Sequence, residues 1–256
     1  MFSREFLRLF YLAVKTLRKG IVVSDLHLLS WRSEGSALFE ARIRPQLSEM
    51  DALVLNGDSF DFRWACRPHS ETIPEALAWI GRLRAEFPVL EIFYVLGNHD
   101  CLVEFADKLK SIPRISVHPH WLEIDRNLFI HGDAANYPMD LKGFHKFRKA
   151  WEDDKPKTPV DAKYYDLTDK LHLSYLTHVI WFAGNVSIKR ISWHLDQVMP
   201  GWNEDMDQCF FGHTHVPFAV RELGGVHFTN TGSGIRGMDF APAEFQYQST
   251  EETIND

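Results

Sequence analysis

The sequence predicts an α/β fold in one large domain, on two observations. Short continuous apolar runs, such as residues 52–55 and 89–96, recur along the chain and are too short for helices, so they predict buried strands. Between them lie segments whose apolar residues recur at helical intervals, such as residues 74–87, with Pro74 suited to the first helical position. We therefore expect functional side chains where each predicted strand ends, because open α/β sheets place their chemistry there.

The composition excludes several classes of protein. The 256 residues are 45% hydrophobic and 25% charged, which is ordinary for a globular domain with a substantial core. The formal net charge of −7 does not favour a nucleic-acid surface, so no nucleic-acid partner is expected. Cys66, Cys101 and Cys209 lie far apart without a Cys-x-x-Cys pair, which indicates a reducing compartment and a cytoplasmic protein. No apolar run approaches the roughly 20 residues of a membrane span, and charged residues interrupt any candidate secretory signal.

The first expected element is an amphipathic helix over residues 1–19, ahead of a main domain over residues 20–256. Its apolar residues recur at helical spacing, and its other face is basic. Two interpretations stay open. The helix packs on the domain or frays, or it lies in a membrane interface and makes the protein peripheral to the inner face of a membrane.

Five predicted strands each end in side chains that can bind a metal ion or transfer a proton. Asp58 follows residues 52–55 and a glycine, where the backbone turns out of the sheet. Asp25 and His27 are two residues apart at the end of another run, so in extended backbone both face the same way. The other strand ends carry Asn98, His99 and Asp100 after residues 89–96, His131 after residues 128–130, and His213 and His215 after residues 209–211.

Together these strand ends supply a ligand set for two metal ions. Two carboxylates, one amide and four imidazoles are too many ligands for one tetrahedral zinc ion. They suit two divalent ions that share one carboxylate, with manganese expected first and iron or zinc as alternatives. Two ions about 3.5–4 Å apart can clamp a phosphoryl group, hold a bridging hydroxide and neutralise developing charge. The expected ligands are Asp25, His27, Asp58, Asn98, His131, His213 and His215.

A helical insertion, or cap, is expected at about residues 141–205. There the strand-and-turn pattern gives way to helical segments that are rich in aromatic and charged residues. None of its histidines follows a predicted strand, so they are expected to be surface or packing residues rather than ligands. They are His145, His172, His178 and His194.

The strand-end motifs resemble the motif set of the calcineurin-like metallophosphoesterases. The motifs are Asp25-x-His27, Gly57-Asp58, Gly97-Asn98-His99-Asp100, His131-Gly132-Asp133 and Gly212-His213-Thr214-His215, in family order. The resemblance implies a four-layer αββα sandwich whose loops hold two metals. It implies one metal at Asp25, His27, Asp58 and His215, and another at Asp58, Asn98, His131 and His213. It also implies that His99 protonates the leaving oxygen and that Asp100 orients His99.

Within that superfamily the chain resembles the UDP-2,3-diacylglucosamine pyrophosphohydrolases of lipid A synthesis. The likeness lies in residues 24–28, 57–61 and 212–217, in the helical insertion, and in an aromatic–arginine pair that ends at Arg148. It implies a substrate-binding role for Arg148, a lid for acyl chains and a lipid-linked nucleotide substrate. The chain departs from that group at His99, where the group usually has Arg. A histidine there is the pattern of general phosphomonoesterases and phosphodiesterases, and it can donate a proton.

Three functional hypotheses follow. The leading one is a two-metal hydrolase of a phosphoester or diphosphate bond, on UDP-2,3-diacylglucosamine, a related lipid-nucleotide or another small molecule. The second is a nuclease of the same superfamily, which the net charge of −7 and the lack of a basic stripe disfavour. The third is a non-catalytic scaffold, which the complete set of seven ligands disfavours.

Overall fold

The structure is a computed structural model that describes residues 16–163, 180–182 and 185–249. In these residues ten strands form two five-stranded sheets. The strands are β1 (Thr16–Val23), β2 (Ala52–Asn56), β3 (Glu91–Val95), β4 (Ile115–His118), β5 (Trp121–Ile124), β6 (Asn127–Ile130), β7 (Gln208–Phe211), β8 (Phe218–Leu223), β9 (Val226–Asn230) and β10 (Ala243–Ser249). The strand order is β10-β1-β2-β3-β4 in the first sheet and β5-β6-β7-β9-β8 in the second.

Parallel strands form the centre of both sheets. β1 to β4 are parallel to one another, and β10 pairs antiparallel with β1. In the second sheet β6, β7 and β9 are parallel, with antiparallel β5 and β8 at the edges. Within each sheet the carboxyl ends of the parallel strands therefore lie at one edge, which is where α/β sheets hold their sites.

Six α-helices accompany the strands in the described residues. They are α1 (Gly35–Arg42), α2 (His69–Glu86), α3 (Val103–Leu109), α4 (Leu141–Glu152), α5 (Val186–Val198) and α6 (Trp202–Asp205). α2 begins five residues before the expected Pro74, because Thr72 and Ile73 are buried and extend the packed face. Among the described residues, no helix has both the length and the hydropathy that crossing a bilayer requires.

Alternate residues of β2 point into two different apolar layers. Leu55 packs in the cluster that α1 and α3 share with the first sheet, together with Phe39 and Phe105. Val54 packs between the two sheets, in a cluster that includes Phe210 of the second sheet. Both side chains are fully buried, so neither face of this strand is exposed to solvent. A strand that is buried on both faces is apolar at successive positions rather than at alternate ones, as residues 52–55 are.

The fourth layer is α5, which covers the outer face of the second sheet. Its Ile188, Ile191 and Leu195 are buried in one cluster with Phe211 and Phe228 of that sheet. The predicted four-layer αββα sandwich is therefore confirmed. α5 lies within the expected insertion, but it belongs to the sandwich, because its apolar face has a whole sheet surface to bury.

The remaining part of the expected insertion is described only in part. Residues 164–179, 183 and 184 lie outside the described residues, and so do His172 and His178. A cap over the site stays a prediction. His194 is a packing residue as expected, since it is buried, donates to the Met139 carbonyl at 2.7 Å and stacks on Phe144.

The start of the chain corrects one expected boundary. β1 begins at Thr16, so residues 16–19 of the expected helix form a strand. They pair with β10 in a continuous antiparallel register that starts at Thr16 and Ser249. Pairing with a neighbouring strand outweighs the local helical spacing, because strand preference depends strongly on tertiary context. Residues 1–15 lie outside the described residues, so the rest of the expected helix stays a prediction.

Candidate metal centre

All seven expected ligands lie in loops that follow β1, β2, β3, β6 and β7. Backbone hydrogen bonds hold neighbouring loops in register. Asp25 N donates to the Gly57 carbonyl at 3.0 Å, and Gly212 N donates to the His131 carbonyl at 2.9 Å. The loops are therefore fixed by main-chain contacts before any side chain binds a ligand.

The backbone of these loops is in an unusual conformation. Nine described residues other than glycine have positive φ, and five of them are expected ligands. Such a conformation is uncommon for side chains with a Cβ and clusters at functional sites. The five ligands are Asp25 at 52°, His27 at 48°, Asp58 at 51°, His213 at 62° and His215 at 56°.

Two glycines allow the loops to approach the ligand carboxylates closely. A Cβ added to Gly97 would collide with Oδ1 and the backbone nitrogen of Asp58. A Cβ added to Gly212 would collide with Asp25 Oδ2 and with the Ser24 side chain. These positions need glycine because a neighbouring loop occupies the space of a side chain.

The first cluster of potential ligand atoms is formed by Asp25, His27 and His215. Asp25 Oδ1 lies 3.1 Å from His215 Nε2 and 3.6 Å from His27 Nε2, and the two Nε2 atoms are 3.2 Å apart. Asp25 Oδ1 is buried and has no hydrogen-bond partner among the described residues. Its other oxygen accepts from His213 N at 2.8 Å, which aims Oδ1 at the two imidazoles.

The second cluster is formed by Asp58, His131 and His213, with Asn98 beside them. His131 Nε2 lies 3.2 Å from Asp58 Oδ2, 3.2 Å from His213 Nδ1 and 3.3 Å from Asn98 Oδ1. Asp58 Oδ2 is also 3.9 Å from His27 Nε2 of the first cluster. One carboxylate oxygen therefore lies between the two clusters.

The electrostatics of the clusters suit a bound cation. Burial opposes the charged form of His131, but the Asp58 and Asp133 carboxylates outweigh it and raise the pKa of His131 to about 10. Burial likewise opposes charge on His27, yet its contacts with Asp25 and Asp61 raise its pKa to about 10. Buried carboxylates thus demand positive charge at these atoms. Divalent ions would supply it, and the oxygen and imidazole donors are those that borderline metals accept.

The comparison with known families agrees with this geometry. The sequence model of the calcineurin-like phosphoesterase family matches residues 19–217. The chain belongs to the calcineurin-like phosphoesterase family. The resemblance found in the motifs is thereby confirmed, and the candidate clusters fit a family that binds divalent metals.

Two curated relatives of this phosphoesterase carry the name UDP-2,3-diacylglucosamine hydrolase. The protein of Shewanella piezotolerans is 24% identical over 214 residues, which cover 80% of this chain and 85% of the relative. The protein of Shewanella halifaxensis is 25% identical over 217 residues, with the same two coverages. The similarity therefore extends along most of both chains.

In this phosphoesterase His99 is oriented by Asp61, and the expected role of Asp100 is wrong. His99 Nδ1 lies 2.8 Å from Asp61 Oδ1, and Asp61 Oδ2 lies 3.4 Å from His27 Nδ1. One buried carboxylate thus contacts both an expected ligand and the expected acid. In the sequence Asp61 follows Asp58 by three residues, which places it near the site but does not show that it reaches His99.

Asp100 instead braces the loops around the site. Its Oδ1 accepts from Gly97 N at 2.6 Å, and its Oδ2 accepts from Ser59 N at 2.9 Å and from the Tyr94 hydroxyl at 2.6 Å. These contacts join the loop after β3 to the loop after β2. Burial and the charge of Asp58 raise the pKa of Asp100 to about 6.

Arg148 of α4 lies beneath the site, which corrects its expected role in substrate binding. Its Nη1 donates to the Gly97 carbonyl at 2.9 Å, its Nη2 to the Leu96 carbonyl at 2.7 Å, and its Nε to Asp133 Oδ2 at 2.8 Å. The side chain is buried and does not line the pocket into which the two clusters open. Its donors face protein groups, so it links α4 to the loops after β3 and β6.

The two clusters open into a pocket of about 410 Å³. Side chains of both clusters line it, as does His99. Its remaining lining includes four large aromatic side chains and two arginines. They are Trp64, Trp151, Trp181, Phe182, Arg32 and Arg63. The pocket can therefore accept a phosphoryl group at the clusters together with a sizeable organic group beside it.

Proposed function

We propose that the chain is a two-metal phosphoesterase that hydrolyses a phosphoester or diphosphate bond, on UDP-2,3-diacylglucosamine or a related lipid-linked nucleotide. The position of Asp58 carries the proposal. Its Oδ2 lies 3.2 Å from His131 Nε2 and 3.9 Å from His27 Nε2, between two clusters of ligand atoms. A carboxylate in that position can be shared by two ions, as two-metal hydrolases require.

The proposed ligand sets follow the two clusters. Asp25, His27, Asp58 and His215 would hold one ion, and Asp58, Asn98, His131 and His213 would hold the other. We propose manganese, with iron and zinc as alternatives, because these donors accept all three. When bound, the ions supply Lewis-acid polarisation of the phosphoryl group and activation of water.

His99 is the proposed proton donor. Its Nδ1 donates to Asp61, which leaves Nε2 as the ring nitrogen that can face a substrate in the pocket. In hydrolysis a water gives one proton to solvent, and the resulting hydroxide bonds to phosphorus while the bond from phosphorus to the leaving oxygen breaks. A proton on His99 Nε2 passes to that leaving oxygen, and Asp61 stabilises the tautomer and orientation that this transfer needs.

The two named relatives, at 24% and 25% identity, support the lipid-linked nucleotide substrate. The aromatic lining of the pocket fits a substrate with a large organic part. With such a substrate the protein would work in the cytoplasm, peripheral to the inner face of a membrane. Residues 1–15, the part of the expected helix that does not belong to β1, are the proposed contact, and no nucleic-acid partner is proposed.

A second candidate is a phosphodiesterase or phosphatase acting on another small molecule, and His99 favours it. An alkoxide leaving group needs a proton, which an imidazole can supply. A phosphate monoester leaving group has a second pKa of about 6, so it departs at neutral pH without an added proton. A dedicated proton donor is therefore of most use when the leaving group is an alcohol.

The test compares two substrates with the manganese-loaded protein. Release of UMP from UDP-2,3-diacylglucosamine at a much higher rate than cleavage of bis-p-nitrophenyl phosphate supports the lipid-nucleotide substrate. Cleavage of the diester alone supports the second candidate. His99→Ala should slow a diester with an alkyl alcohol leaving group more than either of these two substrates, because a phosphate monoester and p-nitrophenolate both depart at neutral pH without a proton. No turnover of either substrate, with two metal equivalents bound, would overturn the proposed hydrolase.

A further inference from the structure

Arg63 is a pocket residue to which the proposed mechanism gives no role. It lies in the loop after β2, two residues beyond Asp61, whose carboxylate holds His99. It lines the pocket together with His99 and Asn98. Its place relative to the reacting groups is therefore set by a short and well-anchored stretch of chain.

Contacts on two sides hold the guanidinium of Arg63 in place. Its Nε lies 2.7 Å from Asp154 Oδ2, and the guanidinium carbon lies 4.4 Å from the centre of the Trp151 ring. The Arg63 carbonyl also accepts from Lys157 N at 2.7 Å, which ties the loop to the chain beyond α4. An arginine fixed in this way loses little side-chain entropy when it binds a ligand.

The two Nη groups of the same guanidinium can still donate hydrogen bonds to a ligand. Across the described residues, neither Nη1 nor Nη2 of Arg63 has a hydrogen-bond partner, while the Nε edge faces Asp154. The two Nη groups form a planar fork that suits two oxygens of one phosphate. Asp154 balances part of the charge and fixes the orientation without occupying this fork.

Trp151 places Arg63 next to the reacting centre. The Trp151 ring lies 4.7 Å from the His99 ring and directly beneath the Arg63 guanidinium. An anion bound to Arg63 would thus be separated by about the width of the Trp151 ring from the leaving group that His99 protonates. That separation is short enough for both to belong to one small substrate.

We propose that Arg63 is a subsite for a second phosphoryl group of the substrate. The inference rests on the proposed function and narrows it. The metal clusters take the phosphoryl group that reacts, and Arg63 takes a neighbouring one that does not. The substrate class is then a diphosphate-linked small molecule, such as a nucleoside diphosphate ester, rather than a simple monoester or diester.

The experiment measures kcat and KM of the manganese-loaded protein and three variants on UDP-2,3-diacylglucosamine and on bis-p-nitrophenyl phosphate. Arg63→Gln should raise KM for the diphosphate substrate by about tenfold or more, since a charged hydrogen bond is lost. KM for the diester should change less than about twofold, because it has no second phosphoryl group. Arg63→Lys, which keeps the charge but loses the fork, should fall between wild type and Arg63→Gln.

The matched control is Arg67→Gln. Arg67 lies in the same loop, pairs with Glu75 at 2.7 Å and does not line the pocket, so both substrates should behave as with wild type. Thermal unfolding of each variant checks that the fold is intact. If Arg63→Gln lowers turnover of both substrates equally, or of neither, the subsite is wrong.

A binding measurement separates failure of the subsite from failure of the proposed function. Calorimetry with the manganese-loaded protein compares inorganic pyrophosphate with inorganic phosphate. Wild type should prefer pyrophosphate, and Arg63→Gln should lose that preference even if no substrate is turned over. An equal preference in both proteins would overturn the subsite, whatever the enzyme assays show.

Discussion

The pocket has two parts, the ligand clusters and the aromatic and arginine side chains that line the rest of it. The side chains of the two parts are held in different ways. Asp25, Asp58 and His131 are almost wholly buried, and their loops meet at positions where only glycine fits. Arg63 lies in a loop and Trp151 on α4, and both are partly exposed. The Arg63 guanidinium packs over the Trp151 ring and pairs with Asp154. The buried, closely packed side chains of the clusters suit metal binding, which needs fixed ligand positions. The partly exposed side chains in the rest of the pocket can be substituted with less effect on packing, so they suit discrimination between substrates.

The first prediction removes the carboxylate that both clusters share. Asp58→Asn should lose metal binding and activity together, by more than the ~10–100-fold typical of residues that only brace a metal ligand. The measurements are metal content by mass spectrometry and turnover of the diester. Asp107→Asn, at an exposed carboxylate paired with Lys110, is the matched control and should keep both. Normal turnover by Asp58→Asn would show that the clusters are not the catalytic centre.

The second prediction separates the two carboxylates near His99. Asp61→Asn should lower kcat about 10²-fold on a substrate with an alcohol leaving group, because His99 loses the partner that sets its tautomer. The double variant with His99→Ala should be no slower than His99→Ala alone, since the two residues act as a unit.

Asp100→Asn is the comparison variant for Asp61. It replaces an acceptor of four hydrogen bonds, so it should lower the free energy of unfolding by about 1–3 kcal/mol. The shape of its pH–rate profile should stay that of wild type. A changed profile for Asp100→Asn with an unchanged one for Asp61→Asn would reverse the assignment.

The third prediction tests the close approach of two loops. Gly97→Ala should weaken metal binding about 10–100-fold, because the new Cβ displaces the Asp58 carboxylate. Gly81→Ala is the matched control, since no atom lies within 4 Å of the new Cβ and the residue is inside α2. That control should raise the free energy of unfolding by about 0.5–1 kcal/mol without changing metal affinity. Equal metal affinity in the two variants would mean that Gly97 is not a packing constraint.

The sequence was informative where chemistry and local pattern coincide. Asp58 and His131 could be found because an apolar run, a break and a ligand follow one another in a few residues. Which of Asp61 and Asp100 reaches His99 depends on how two separate loops pack, and no local spacing encodes that. The same holds for Arg148, whose side chain turns under the site to satisfy two carbonyls. A residue type predicts what a group can bind, while tertiary packing decides which partner it meets.

The last and smallest effect concerns a histidine outside the clusters. Carboxylates raise the pKa of buried His27 and His131 to about 10, whereas burial lowers the pKa of His120 to about 4. His120 lies against Phe144, with ring centres 5.2 Å apart. Between pH 6.5 and about 4 the unfolded chain binds a proton at this residue that the folded chain does not. The free energy of unfolding should therefore fall as the pH falls through this window, and this contribution should change no further below it.

His120→Gln removes the residue that takes up this proton. The free energy of unfolding of the variant should therefore depend less on pH between 6.5 and about 4. Urea unfolding at pH 4.5, 6 and 8 measures it, and the difference between variant and wild type at pH 8 reports packing alone. The other histidines are present in both proteins and cancel in that difference. If the difference is the same at all three pH values, His120 takes up its proton equally in the folded and unfolded chain. The pKa of His120 would then not be lowered by its aromatic surroundings, and the contrast with His27 and His131, whose pKa values carboxylates raise, would be wrong.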